Sequence, residues 1–150
     1  MSTDLEKLNY LRNEIEHRGI FRVKPGSPTL PGKAPNSAYT WQFYLRRCMF
    51  DPKFVTTAAE LLVNQLPDQD VQIGACEAAG VPLGLAMSMI LGTPMLSIKK
   101  SPKSYGLLNC TEGRITGQPV VLVDDLAGSQ ITLRTADSRL ARVGLATADF

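Results

Sequence analysis

The sequence predicts an α/β fold, a parallel sheet with helices on both faces. Three observations carry that prediction. Short, continuous apolar runs recur at VQIGAC (71–76), PMLSIK (94–99) and VVLVD (120–124), the pattern of strands covered on both sides. Helical periodicity follows the first and third runs, in VPLGLAMSMIL (81–91) and in Ile131 to Arg142. Strand and helix therefore alternate, which favours parallel pairing through crossover connections. At 150 residues the chain is the size of one domain, divided here into an N-terminal part, 1–66, and a core, 67–150.

Taken in order, Leu5, Leu8, Leu11 and Ile15 recur at helical spacing behind Ser2 or Thr3 as the N-cap. They predict an amphipathic helix over 3–18 that ends at Gly19. Ile20 to Val23 is a short strand candidate. Lys24 to Ser37 carries four prolines and two glycines, so it is read as a long loop and not as a helix or central strand. Tyr39 to Tyr44 is aromatic-rich and strand-like. Asp51-Pro52 is a capping residue followed by a first-turn proline, and it opens a helix to about Leu66. The helix over 81–91 is apolar nearly all round, as expected of a helix sunk in a core. Residues 99–118 are polar, glycine-bearing and cationic, with no convincing helix. Ile131, Leu133, Ala136 and Leu140 give the last helix its apolar stripe, beside Arg134, Arg139 and Arg142. GLATADF (144–150) is a fourth strand candidate of the core.

Composition excludes several classes. The net charge of +2 does not support nucleic-acid binding by charge alone. No apolar run approaches the ~20 residues of a membrane span, and the charged N-terminus lacks the apolar segment of a signal peptide. The three cysteines, Cys48, Cys76 and Cys110, are odd in number and widely spaced, which fits reduced thiols and a cytoplasmic protein. One histidine, His17, near the end of the first helix, leaves no basis for a histidine-built zinc site or a Ser-His-Asp triad.

In a parallel α/β sheet, ligands sit beyond the carboxyl ends of the strands. Three loops meet that condition. The first is Gly74-Ala75-Cys76-Glu77-Ala78-Ala79-Gly80, whose small residues let backbone N–H groups approach an anion. The second groups Lys99, Lys100 and Lys103. The third places Asp124 and Asp125 ahead of a small, hydroxyl-bearing loop at a helix N-terminus, a phosphate cradle. Two adjacent carboxylates there imply hydroxyls to accept from, and Mg²⁺ held through water. The set fits a sugar carrying phosphate at both ends. Each motif alone has a plainer reading: a capping aspartate, a solvated lysine cluster, a polar turn.

Together and in this order they resemble known motifs. VVLVDDLAGSQIT is similar to the phosphoribosyl-pyrophosphate (PRPP) motif of type I phosphoribosyltransferases. KKSPKSYG is similar to the catalytic loop of the orotate branch, Arg-Lys-x-x-Lys-x-His/Tyr-Gly, and GACEAAGVPLGLAMS to its pyrophosphate loop and following helix. The resemblance is good over roughly 70–147 and loose before that. It implies a parallel-sheet type I phosphoribosyltransferase fold, C-terminally short, with a small N-terminal helix and hood.

By position, it implies that Asp124 and Asp125 contact the ribose hydroxyls and help place Mg²⁺ through water. Ala127, Gly128, Ser129, Gln130, Ile131 and Thr132 cradle the 5′-phosphate. Ala75, Cys76, Glu77, Ala78, Ala79 and Gly80 contact pyrophosphate, which Lys99 and Lys100 neutralise as it leaves. Lys103 is the principal catalytic lysine, reaching into the neighbouring subunit of a homodimer. Lys24 and Tyr39 line the base pocket, with Gly26, Ser37 and Trp41 or Phe43 nearby.

The activity implied is transfer of the phosphoribosyl group from PRPP to a nucleobase, orotate, with no nucleic-acid or membrane partner. The alternative is an inactive PRPP- or nucleotide-binding regulator, or a structural protein, on the same fold. Four departures bear on it. Gln130 and Ile131 stand where the family has glycine or small residues that let the backbone wrap the phosphate. Gly128 stands where the family has a hydroxyl. Lys99 stands where it has arginine, so a bidentate fork becomes a point charge. The arginine that binds the orotate carboxylate, later in the family's chain, has no counterpart before Phe150.

Overall fold

The computed structural model describes residues 2–31, 36–100, 110–126, 131–142 and 144–148. The chain opens with α1 (Asp4–Glu14), capped at Thr3 in a reciprocal capping box with Glu6. A π-helical turn, Ile15–Gly19, ends it. Two small antiparallel ribbons follow. In one, β1 (Ile20–Arg22) pairs with β4 (Trp41–Phe43); in the other, β2 (Leu30–Pro31) pairs with β3 (Ala38–Tyr39). The aromatic stretch 39–44 is therefore split between two ribbons. Short α2 (Arg46–Met49) leads into α3 (Pro52–Asn64). Asp51 caps α3 by accepting from the Phe54 N–H at 3.1 Å, and it also accepts from Arg18 Nη2 at 2.8 Å, which ties the end of α1 to the start of α3.

The core sheet has the order β7-β6-β5-β8. β5 (Gln72–Cys76), β6 (Met95–Ile98) and β8 (Val120–Val123) are parallel. β7 (Thr111–Glu112) is an antiparallel edge strand within the polar stretch that the sequence left without structure. Beyond β8, residues 144–148 supply one parallel bridge, Val120 to Thr147, in place of the full strand expected there.

Period-two alternation sends β residues to opposite faces. Ile73, Val121 and Val123 join Phe54, Val63, Leu83 and Met87 in a core beneath α3 and α4 (Val81–Leu91). Cys76, Leu96, Ile98 and Val120 join Ala136 and Leu140 of α5 (Ile131–Arg142) on the other face. Helices thus cover both faces, as the apolar strands required.

One expectation is corrected. α4 is not enclosed: its inner residues Leu83 and Met87 are buried, but Leu85 is 50% exposed and Met89 75%. One layer of helix suffices to cover a sheet face, so the outer flank of α4 is left bordering a groove against α3. Among the described residues no helix is long and apolar enough to cross a membrane.

Candidate functional site

The register of the parallel strands brings the three loops together. Ala75 is level with Ser97 and Val123, and Cys76 with Ile98. The segments beginning at Glu77, Lys99 and Asp124 therefore leave the same edge of the sheet. A cavity of about 210 Å³ opens there. Its walls are Cys76 and Glu77 after β5, Ile98 to Lys100 after β6, and Ile131, Thr132, Thr135, Ala136 and Arg139 on α5.

The turn after β5 is closely packed. Ala75, Cys76, Ala79 and Gly80 are buried, Glu77 is half-buried and Ala78 exposed. The Glu77–Ala78 peptide is cis. Glu77 is anchored to β6, its N–H donating to Ile98 O at 2.9 Å and its carboxylate accepting from Ser97 Oγ at 2.8 Å. Gly80 leads into α4, and a Cβ there would lie 2.8 Å from both Cys76 O and Val123 O. Only glycine brings the turn this close to the end of β8.

The lysines after β6 differ. Lys100 is exposed and borders the cavity. Lys99 is buried, and its Nζ forms an ion pair with Glu112 on β7. Of the remaining predicted residues, Lys103 and Ala127, Gly128, Ser129 and Gln130 lie outside the described residues. Ile131 and Thr132 stand at the start of α5 on the cavity wall.

Asp124 and Asp125 are half-buried just past β8, and the Asp125 N–H donates to Asp124 Oδ1 at 2.9 Å. Neither carboxylate is on the wall of that cavity; Asp124 borders a second groove, with Leu66, Val123 and Leu133. Burial, with the Asp125 carboxylate beside it, pushes the Asp124 carboxyl up to about 6. Burial, with the Asp124 carboxylate, pushes the Cys76 thiol up to about 11 against the opposing pull of Arg139 and Lys100. The buried thiol thus lies between the acidic and the cationic parts of the site. Among the described residues no three His, Cys, Asp or Glu side chains converge on a metal position. The aspartate pair would have to share a cation with ligand oxygens and water.

Lys24 and Tyr39 are exposed on the N-terminal segments, apart from the cavity wall. Trp41 and Phe43 meet edge to face, with centroids 5.4 Å apart, and both are exposed.

Ser97, Glu112, Thr135 and Arg139 are among the residues at the site not singled out from the sequence. Ser97 was legible as the one hydroxyl inside an apolar strand. Arg139 was legible from helical spacing, since Thr132, Thr135, Ala136 and Arg139 follow i, i+3, i+4, i+7 and share a face. Glu112 had no local signal.

Known proteins resemble this chain in sequence and in fold. An orotate phosphoribosyltransferase of Methanocaldococcus jannaschii is 32% identical over 83 residues, 55% of this chain and 47% of the relative. One of Methanosphaera stadtmanae is 31% identical over 120 residues, 79% of this chain and 65% of the relative. The chain spans about half the length of the first of these relatives. No family model matches. The crystal structure of orotate phosphoribosyltransferase from Mycobacterium tuberculosis, in complex with Fe(III) dicitrate, superimposes with a TM-score of 0.71 at 21% identity, covering 95% of this chain and 80% of that one. The fold is that of the type I phosphoribosyltransferases. In that fold the cavity described above lies on the carboxyl edge of the parallel strands, and the sequence similarity is to the orotate branch.

Proposed function

We propose that this chain transfers the 5-phosphoribosyl group from PRPP to a nucleobase, orotate, releasing pyrophosphate. The observation that carries the reading is the shared strand register. It gathers a tight small-residue turn, a lysine-bearing segment and an acidic pair at one edge, in the chain order of the family's three motifs. The names of the relatives support orotate as the base.

Displacement at the anomeric carbon builds charge on the departing pyrophosphate oxygens. Lys100, Lys103 and the backbone around Ala78 to Gly80 would face that charge, where preorganised donors are most effective. Asp124 and Asp125 would accept from the ribose hydroxyls. The same pair would hold Mg²⁺ through water; the raised pKa of the Asp124 carboxyl is that of a site a cation would relieve. The metal, when bound, supplies charge neutralisation for the pyrophosphate. Thr132 at the start of α5 would hold the 5′-phosphate, and Lys24 and Tyr39 would approach the base.

The active form we propose is a homodimer. The apolar groove between α3 and α4, about 460 Å³ and bordered by Phe50, Leu85, Met89 and Ile90, supports it. Lys99 held by Glu112 favours a second reading, a PRPP-binding regulator without turnover, because it removes one of three lysines from the anion.

The test is orotate consumption, followed spectrophotometrically with PRPP and Mg²⁺, beside Lys103→Ala. Turnover that falls roughly 100-fold or more in the variant supports the enzyme. Binding of PRPP by calorimetry without turnover supports the regulator. Neither binding nor turnover refutes both.

A further inference from the structure

Arg139 lies outside the three motifs, seven residues past the end of the third, yet it enters the site. Its guanidinium forks across two successive carbonyls, donating from Nη1 to Lys99 O and from Nη2 to Lys100 O, the latter at 2.7 Å. The same backbone is held from the other side. The Lys99 N–H donates to Cys110 O at 2.8 Å, and the Lys99 ammonium pairs with Glu112. Arg139 itself stands on a fixed base, since its neighbours Ala136 and Leu140 are buried at 2% and 0% exposure. The segment Lys99-Lys100 is thus gripped between α5 and β7, and Lys100 borders the cavity.

We propose that Arg139 is a positioning residue: by bracketing the Lys99 and Lys100 carbonyls it holds Lys100 against the pyrophosphate subsite, linking the helix that carries the phosphate cradle to the cationic segment. A planar fork suits this task because it presents donors on two nitrogens at a fixed spacing, whereas an ammonium rotates its three donors about one nitrogen. Two of its five donors are held by the Lys99 and Lys100 carbonyls, and through them Arg139 acts on the reaction by way of Lys100.

This inference rests on the phosphoribosyl-transfer reading, and the experiment separates the two. In the full chain, Arg139→Gln and Arg139→Lys are compared with the unmodified protein by steady-state kinetics and by amide hydrogen exchange. Both variants should lose kcat by roughly 10–100-fold, the scale of a small misplacement of a catalytic group, with the KM for PRPP within about twofold. Both should also exchange faster at the Lys99 amide, with β5 amides unchanged. Wild-type kcat in Arg139→Lys would overturn the proposal, since charge alone would then suffice. A raised KM with unchanged kcat would overturn it in favour of a direct anion ligand. If the unmodified protein shows no turnover, the transferase reading fails, and exchange alone judges Arg139: faster Lys99 exchange upholds the grip, and unchanged exchange overturns it.

Discussion

Replacing Gly80 by alanine tests the packing that seats the turn after β5. The Gly80 backbone, at φ −73° and ψ −19°, is ordinary for any residue. On dihedral grounds alanine should therefore stabilise by about 0.4–1 kcal/mol through the unfolded chain. Contact opposes this. The new Cβ would sit 2.8 Å from Cys76 O, 2.8 Å from Val123 O and 3.0 Å from Asp124 Cα. An ordinary carbon–oxygen approach is about 3.3 Å, so two contacts are short by roughly 0.5 Å, and the opposing atoms are backbone that no rotamer can move aside. Overpacking of this kind costs about 1–3 kcal/mol. The net expectation is a loss of about 1–2 kcal/mol, a fall in Tm of roughly 2–8 °C for a chain of this size. Urea unfolding followed by far-ultraviolet circular dichroism measures it. Gly92→Ala is the control: at φ +70° with nothing within 4 Å of the new Cβ, it costs stability through the backbone alone and should leave PRPP affinity unchanged. Gly80→Ala should weaken that affinity too, because the turn must shift. Unchanged or raised stability in Gly80→Ala would refute the close-approach argument.

Two further perturbations probe the frame around the site. Gln72 is fully buried and donates to Pro94 O and Arg114 O at 3.0 and 2.6 Å while accepting from Thr116; Gln72→Leu strips partners from these groups and should cost roughly 3 kcal/mol, seen as a lower urea midpoint with the parallel sheet retained, and a cost under about 0.5 kcal/mol would show the contacts are idle. Arg18, with the Phe54 N–H, holds the Asp51 carboxyl below its usual range. A depressed folded pKa contributes stability that is present above the unfolded value near 4 and is lost as pH falls through the folded value. Asp51→Asn should therefore be less stable than the unmodified protein at pH 7, with the two stabilities converging as pH drops below about 4; parallel acid titrations would count against the Arg18 contact.

The core sheet and its helices were legible because they follow from local pattern. Apolar runs only four to six residues long, bounded by turn residues, read as strands with both faces covered, and Asp51-Pro52 announces α3 by capping chemistry at two adjacent residues. The loops at the strand ends were legible in the same way, as breaks of pattern at known places. The two-residue β7 was not, since Thr111–Glu112 has no periodicity and exists as a strand only because β6 has a free edge. The open flank of α4 was misread for a related reason: composition shows that a helix is apolar but not how many layers lie over it.

The sequence by itself determined the parallel α/β class, the order of the three loops and the acidic pair beside a helix start, all of which depend on residues near one another in the chain. Tertiary structure alone decided which cations face the cavity. Lys99 and Lys100 are neighbours of the same type, yet Lys99 is neutralised by Glu112, thirteen residues on, while Lys100 is left to the site. Arg139, forty residues away, grips the backbone of both. Charge acts over a few ångströms of space and not over sequence, so the partner of a lysine is settled only when β7 and α5 pack against the end of β6.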